Sequence, residues 1–284
     1  MHPAIKILLP LIIILGCIAA LGGMWPAEGT PYSLITFRGE QVTINARGLY
    51  YWDTVSSAAQ MQANDLVVLV LAIPLLIISF LLALRGSLRG RMILAGTLGF
   101  ILYTYITMVF GAHFNSFFLV YVALFSLSLF SLILVMISFD VSTIQNHFSS
   151  AFIKVRQWIV GFLFFAAAFL SFAWLARIAV TFKPESIPAL DNTTSMFIQA
   201  MDLAIIVPFC VITGLLLLRK NSWGYLLAPI GLIKFVTLGL AVSLMGFNMA
   251  RLGVPISIVE LTLFPAMTVA GLLLTILLLR NIKE

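Results

Sequence analysis

Charge is what this chain has least of. Only 9% of its 284 residues are Asp, Glu, Lys or Arg, where a soluble domain carries about 25%. A soluble fold of this size cannot keep 62% hydrophobic residues away from water, so the solvent that suits most of the chain is lipid. Histidine and cysteine are equally sparse. The three histidines, His2, His113 and His147, fall on segments expected at opposite faces of a membrane, which excludes a three-histidine metal site. Cys17 and Cys210 each sit inside an apolar run, without metal-ligand spacing, and read as small buried residues. The HExxH, GxSxG and P-loop patterns are missing, so the chain is expected not to be an enzyme and to need no metal and no cofactor. The net charge of +6 would raise the question of nucleic acid in a soluble protein. Here the basic residues lie between apolar runs, where they meet lipid headgroups, and no nucleic-acid partner is expected.

What is present is a succession of long apolar runs, at about 4–24, 65–85, 90–111, 115–138, 155–180, 195–218, 223–246 and 255–280. A helical span needs about 20 residues, and lipid admits only helices or closed barrels because backbone groups there have no water to bond. Runs of this length exclude barrel strands. The fold class is therefore an all-α integral membrane protein with eight transmembrane helices, forming a single transmembrane domain over 1–284. Lys6, Arg85, Arg89, Arg91, Lys154, Arg156, Arg219, Lys220, Arg280 and Lys283 fall on one side. Arg38, Arg47, Arg177, Lys183 and Arg251 fall on the other. By the positive-inside rule both termini are predicted cytoplasmic, in a cell inner membrane. One alternative concerns the first run: Ile14-Leu15-Gly16-Cys17 loosely resembles a lipoprotein cleavage box, although the apolar run continues to Met24.

Residues 25–64 form the one sizeable segment outside the lipid, a small extracytoplasmic cap. Ser33 to Phe37 and Gln41 to Ala46 read as a short hairpin turning at Arg38-Gly39-Glu40. Arg47-Gly48 makes a second turn, and Leu49-Tyr50-Tyr51-Trp52 suits the headgroup belt. Asp53 reads as the N-cap of a short helix at 54–62. The outer connection at 181–194, with Lys183-Pro184-Glu185 and Asp191-Asn192, reads as turns.

The two halves carry a faint likeness. Arg85 precedes Gly90 as Arg219 precedes Gly224, Asp65-Leu66 parallels Asp202-Leu203, and Val120 to Phe125 parallels Val259 to Phe264. Two parallel four-helix halves would follow, an arrangement known in transporters. In that alignment Phe100 and Tyr121 stand where the second half has Lys234 and Glu260.

Asp202, Lys234 and Glu260 are the candidate site. A charge near the bilayer centre costs about 3 kcal/mol by insertion scales, so each needs a partner, water or a task. Lys234 lies near mid-span, and snorkelling would lift its ammonium towards the two carboxylates. Gln199 shares a stripe with Asp202, Thr237 one with Lys234, and Ser257 and Thr268 one with Glu260. Pro208, Pro229 and Pro265 interrupt the same three helices. This constellation predicts a site for a small solute, ion or proton, closed by a Lys234–carboxylate pair, in a transporter. A packing role for the same charges is the plainer alternative. A mid-membrane lysine also fits retinal Schiff-base proteins, but no retinal pocket pattern accompanies it.

The stretches Gln199-Ala200-Met201-Asp202-Leu203, Trp223-Gly224-Tyr225-Leu226, Leu232-Ile233-Lys234 and Val259-Glu260-Leu261 carry a family resemblance. So do Gly48-Leu49-Tyr50, Asp53 and Asp65-Leu66. Over most of its length the chain resembles a group of prokaryotic multi-pass membrane proteins to which no activity is attached. The resemblance implies an inner-membrane location and nothing about cargo. The expected partners are the lipid bilayer and a small solute or ion. In the alternative of a non-transporting accessory or sensory protein, a protein binds the outer cap.

Overall fold

The computed structural model describes residues 2–183 and 185–284; Pro184 of the predicted outer turn lies outside them. Among the described residues eight helices are long and apolar enough to cross a membrane. They are α1 (Ile5–Met24), α2 (Val55–Leu84), α3 (Leu88–Gly111), α4 (Phe118–Ile137), α5 (Phe152–Val180), α6 (Phe197–Leu218), α7 (Ser222–Arg251) and α8 (Ile258–Arg280). α1 runs unbroken through Cys17.

The centre of the bundle is α3 against α7, the two most buried of the eight. Gly96 makes their contact possible: a Cβ there would lie 2.7 Å from Ile233 Cβ and 2.8 Å from the Ile230 carbonyl oxygen. α4 flanks α3 and α8 flanks α7, while α1 packs on α4 and α2, and α5 on α6. α8 is the least buried, presenting most of its apolar surface outward.

The second helix departs from the expected split into a cap helix and a separate span. It is one helix, because no Gly or Pro lies between Val55 and Ile73 to stop it. Its N-cap is Thr54, not Asp53: Thr54 has extended backbone angles and its hydroxyl accepts from Ser57 N at 3.0 Å. The Asp53 side chain is engaged elsewhere, by His113. The cap is thereby shortened to the stretch before Val55. Its hairpin pairs β1 (Tyr32–Ile35) antiparallel with β2 (Gln41–Ile44), in the register Tyr32 to Ile44.

α2 and α6 each contain one widened π-helical turn, Val68–Ala72 and Asp202–Ile206. Each is followed by a proline at the start of the next regular stretch, Pro74 and Pro208. A proline ring clashes with the carbonyl four residues back and offers no N–H; the wider turn ahead of it relieves the clash. Further correspondences share that spacing of 134 positions. Arg85 matches Arg219, and the N-caps Ser87 and Asn221 match. Gly86 and Lys220 both adopt positive φ in the tight turn. Gly90 and Gly224 let α3 and α7 meet the preceding helix at the same place: a Cβ on Gly90 would lie 2.5 Å from Leu82 Cβ, and one on Gly224 2.5 Å from Leu217 N. This spacing matches Phe100 with Lys234 as the sequence suggested, but it corrects the other pairing. Asp65 corresponds to Gln199, and Asp202 to Val68.

Hydrogen bonds gather the connections at the two ends of the bundle. At one end, here the cap end, Glu40 at the foot of the hairpin accepts from Leu190 N at 3.0 Å and Asp191 N at 3.3 Å. Thr54 donates to Asp191 Oδ1 at 2.6 Å. At the other end the Glu284 carboxylate accepts from Ser87 Oγ and from Leu88 N, each at 2.9 Å, capping α3. Ile282 pairs with Phe148.

Candidate functional site

Lys234 lies twelve residues into α7 after Ser222, about 18 Å along the helix axis at 1.5 Å per residue, and is buried. Its stem runs over Gly99 of α3, where a Cβ would sit 3.8 Å from Lys234 Cγ. The ammonium reaches one turn further towards the cap end and rests 4.2 Å from the centre of the Tyr103 ring. The Phe235 ring centre is 5.3 Å away. Nζ has no hydrogen-bond partner. A desolvated cation–π contact supplies about 2 kcal/mol, less than the cost of holding the charge at this depth. The ammonium is thus held in place and incompletely compensated.

Tyr103 links it to Asp202. The Tyr103 hydroxyl donates to Asp202 Oδ1 at 2.8 Å, and the Trp174 indole N–H of α5 donates to Oδ2 at 2.9 Å. Each carboxylate oxygen is therefore fixed by a donor from a different helix. Asp202 opens the π-helical turn, and its carbonyl accepts from Val207 N five residues on. Four helices, α3, α5, α6 and α7, converge here. Cys210, two turns beyond Asp202 and buried, is within electrostatic reach of both Lys234 and Asp202. Thr213, one turn further, holds a buried hydroxyl without a partner.

The expected Lys234–carboxylate pair does not form. The ion pairs among the described residues are Arg89–Glu284 and His113–Asp53; the aromatic ring of Tyr103 stands where direct contact with Asp202 was expected. Glu260 is elsewhere and exposed. It closes a capping box at the start of α8, its carboxylate accepting from Ser257 N at 3.0 Å and Ser257 Oγ at 2.8 Å, while Ser257 Oγ accepts from Glu260 N. Its place three residues after Ser257 is a helix-start signature, and that local role competes successfully with a long-range partner. Gln199 is buried one turn before Asp202, as expected. Thr237 is buried beside Lys234, but its hydroxyl donates within its own helix, to Ile233 O at 3.0 Å and Lys234 O at 2.9 Å.

Tyr103 and Trp174 carry the site and had no role assigned from sequence. The signal was the residue type: a Trp or Tyr inside an apolar helix has one polar group to satisfy, and an intramembrane carboxylate is a natural acceptor.

At the cap end a second polar cluster joins the connections. Asp53 is buried; its Oδ1 accepts from His113 N and meets His113 Nδ1, both at 3.1 Å. His113 Nε2 meets Asn192 Nδ2 at 3.2 Å. The hydrogen bond to Asp53 raises the His113 pKa above its ordinary value, against the opposing effect of burial. Burial raises the Asp191 carboxyl, and Thr54 partly offsets it. Glu40, Asp53, Thr54 and His113 come from the first 180 residues and Leu190, Asp191 and Asn192 from the following connection, so the cluster clasps the cap end.

No protein-family model, curated protein or solved structure matches the chain.

Proposed function

We propose that the protein is an inner-membrane transporter of a small solute or ion, with both termini cytoplasmic, built as two parallel four-helix halves around α3 and α7. The observation that carries the reading is the Lys234 ammonium, buried at mid-bundle with no hydrogen-bond partner beside a carboxylate held by two donors. A pair kept only for packing is most stable when the charges close on each other. An ammonium left facing aromatic rings has donors to offer an incoming acceptor, so the cargo that suits it carries an anionic or strongly accepting group. The widened π-helical turns at corresponding places in the two helices support a functional site here, since such turns inside α-helices are frequent at functional sites.

The test is the thermal stability of the purified protein in detergent across a panel of small anions, amino acids and other solutes. A cargo that binds only the folded protein at a hundred times its Kd adds about 2.7 kcal/mol. The expected result is a solute that stabilises the wild type and not Lys234→Met. A response shared by both variants, or none, overturns the site. One observation favours the accessory reading: the cap exposes Trp25, Ile35, Phe37 and Trp52, apolar side chains available to a membrane protein partner. A flat solute panel with a stable co-purifying partner, lost on Phe37→Ser, would establish it.

A further inference from the structure

The first half holds a buried carboxylate of its own. Asp65 in α2 is 1% exposed, and its Oδ2 accepts from the Tyr50 hydroxyl at 2.6 Å. Tyr121 of α4 is buried, its hydroxyl facing the Tyr50 hydroxyl and the Asn115 side chain without closing a hydrogen bond of normal geometry to either. Its ring stacks on that of buried Tyr105 of α3, with centres 6.1 Å apart. α1 gives Asp65 room at Gly23, where a Cβ would run into Asp65 Oδ2 and the Tyr50 hydroxyl; the Tyr105 hydroxyl lies by Gly16, two turns along the same helix. The groups facing the cluster are thus Tyr50, Tyr121, Asn115 and, beyond Tyr121, Asp53, with Tyr105 and Cys17 of α1 further along the bundle. No basic side chain forms an ion pair with Asp65 among the described residues.

We propose that Asp65, with the hydroxyls of Tyr50 and Tyr121, binds one monovalent cation, a sodium ion or a proton. A single carboxylate bound to one positive charge is neutral, and neutrality is what an apolar bundle demands. A divalent ion would leave an excess charge. The ligand set is all oxygen, which suits a hard cation, and the Tyr121 hydroxyl beside Tyr50 closes no hydrogen bond of normal geometry within the protein. A cavity of about 420 Å³ lies nearby between α1, α2 and α7, lined by Met24, Gln62, Leu66, Asn248 and Arg251. That the cation drives cargo movement rests on the transporter reading; that it binds does not.

The test uses the purified full chain in detergent, with choline chloride replaced stepwise by sodium chloride at constant ionic strength, and separately with pH varied without sodium. Thermal midpoints are compared for wild type, Asp65→Asn and Lys234→Met. If the ion is sodium, the wild-type midpoint rises by several degrees per tenfold sodium above saturation. Asp65→Asn is then flat, while Lys234→Met responds as the wild type does. If the ion is a proton, sodium has no effect, and the stability of wild type relative to Asp65→Asn grows as pH falls. Wild type and Asp65→Asn behaving alike in both series overturns the proposal. Should Asp65→Asn not fold, Tyr121→Phe keeps the carboxylate and removes one hydroxyl of the set. It is expected to shift the sodium or proton midpoint about tenfold, the worth of one good polar contact, and an unmoved midpoint in Tyr121→Phe is equally fatal. Cation binding without any solute response would retain this site and remove the transporter reading, so the two fail separately.

Discussion

The two halves of the bundle solve the problem of an intramembrane carboxylate in opposite ways. In the second, Asp202 has both oxygens occupied, by Tyr103 and Trp174, and a lysine one ring away. In the first, Asp65 has the Tyr50 hydroxyl and, behind it, a Tyr121 hydroxyl that closes no hydrogen bond of normal geometry. One site is short of an acceptor for its ammonium; the other is short of a cation for its carboxylate. The scaffolds beneath them nonetheless match, with a π-helical turn, a proline, a tight turn and a close-packed glycine in register. The difference teaches that a common helical frame sets where a polar group can sit, and a few side chains decide which ligand charge it lacks.

The largest expected effect comes from forcing the halves apart. Gly96 sits where α3 meets α7, and a side chain there strikes Ile233 and the Ile230 carbonyl. Backbone cannot yield as a flexible side chain can, so Gly96→Val is expected to cost about 3 kcal/mol or more. Gly99→Ala is the control: its Cβ would meet only the Lys234 stem at ordinary contact distance and is expected to be tolerated. Thermal unfolding of the two variants in detergent distinguishes a contact between halves from a general intolerance of α3.

Next in size are the two donors to Asp202. Trp174→Phe and Tyr103→Phe each leave one carboxylate oxygen without its partner, at an expected cost of about 1–3 kcal/mol. Tyr103→Phe keeps the ring under Lys234, whereas Tyr103→Leu removes it as well and is expected to cost more. If Tyr103→Leu and Tyr103→Phe are equally stable, the cation–π contact contributes nothing and the asymmetry between halves lies in Asp202 alone.

Third is the cap-end clasp. His113→Ala removes the ring contact to Asp53 Oδ1 but keeps the backbone N–H bond to the same oxygen, and is expected to cost about 1 kcal/mol, kept low also because His113 is only partly buried. The sign with pH follows from its raised pKa. The stabilisation is fully present below the ordinary histidine value of about 6.5 and fades as pH rises through the folded value. The gap between wild type and variant is therefore expected to be widest in mild acid and to narrow in alkali, as read by unfolding at a series of pH values.

Much of the frame was legible in the sequence because lipid imposes long apolar helices and a few turn residues punctuate them. Apolar context marks Asp202 and Lys234 as groups inside helices, and both are buried, with Gln199 on the stripe of Asp202; the neighbours expected from chain order were the helices of Lys234 and Glu260. What was illegible depended on local chemistry that outbids distant partners. Ser257 lies three residues before Glu260, and a capping box consumes that carboxylate before Lys234 can. The N-cap passed from Asp53 to Thr54 because His113, sixty residues away, claims the aspartate. The tyrosine pair around Asp65 is assembled from α4 and the cap, and no spacing along the chain reveals that convergence.

The smallest expected effect sharpens the same point at Glu260. Its carboxylate is exposed and serves the start of α8. Glu260→Gln retains an acceptor for Ser257 N and is expected to change stability by only a few tenths of a kcal/mol, and Glu260→Ala by about 0.5–1 kcal/mol, in the range of lost caps. Neither is expected to alter any solute or cation response that depends on Lys234 or Asp65. Those responses are the informative measurement, because a cap and a relay differ little in stability and completely in ligand dependence. If Glu260→Gln abolished the response of the wild type to a solute, Glu260 would have to reach Lys234 in another arrangement of α7 and α8. The second half would then hold two acidic partners for one lysine, and its contrast with the lone Asp65 of the first half would be greater still.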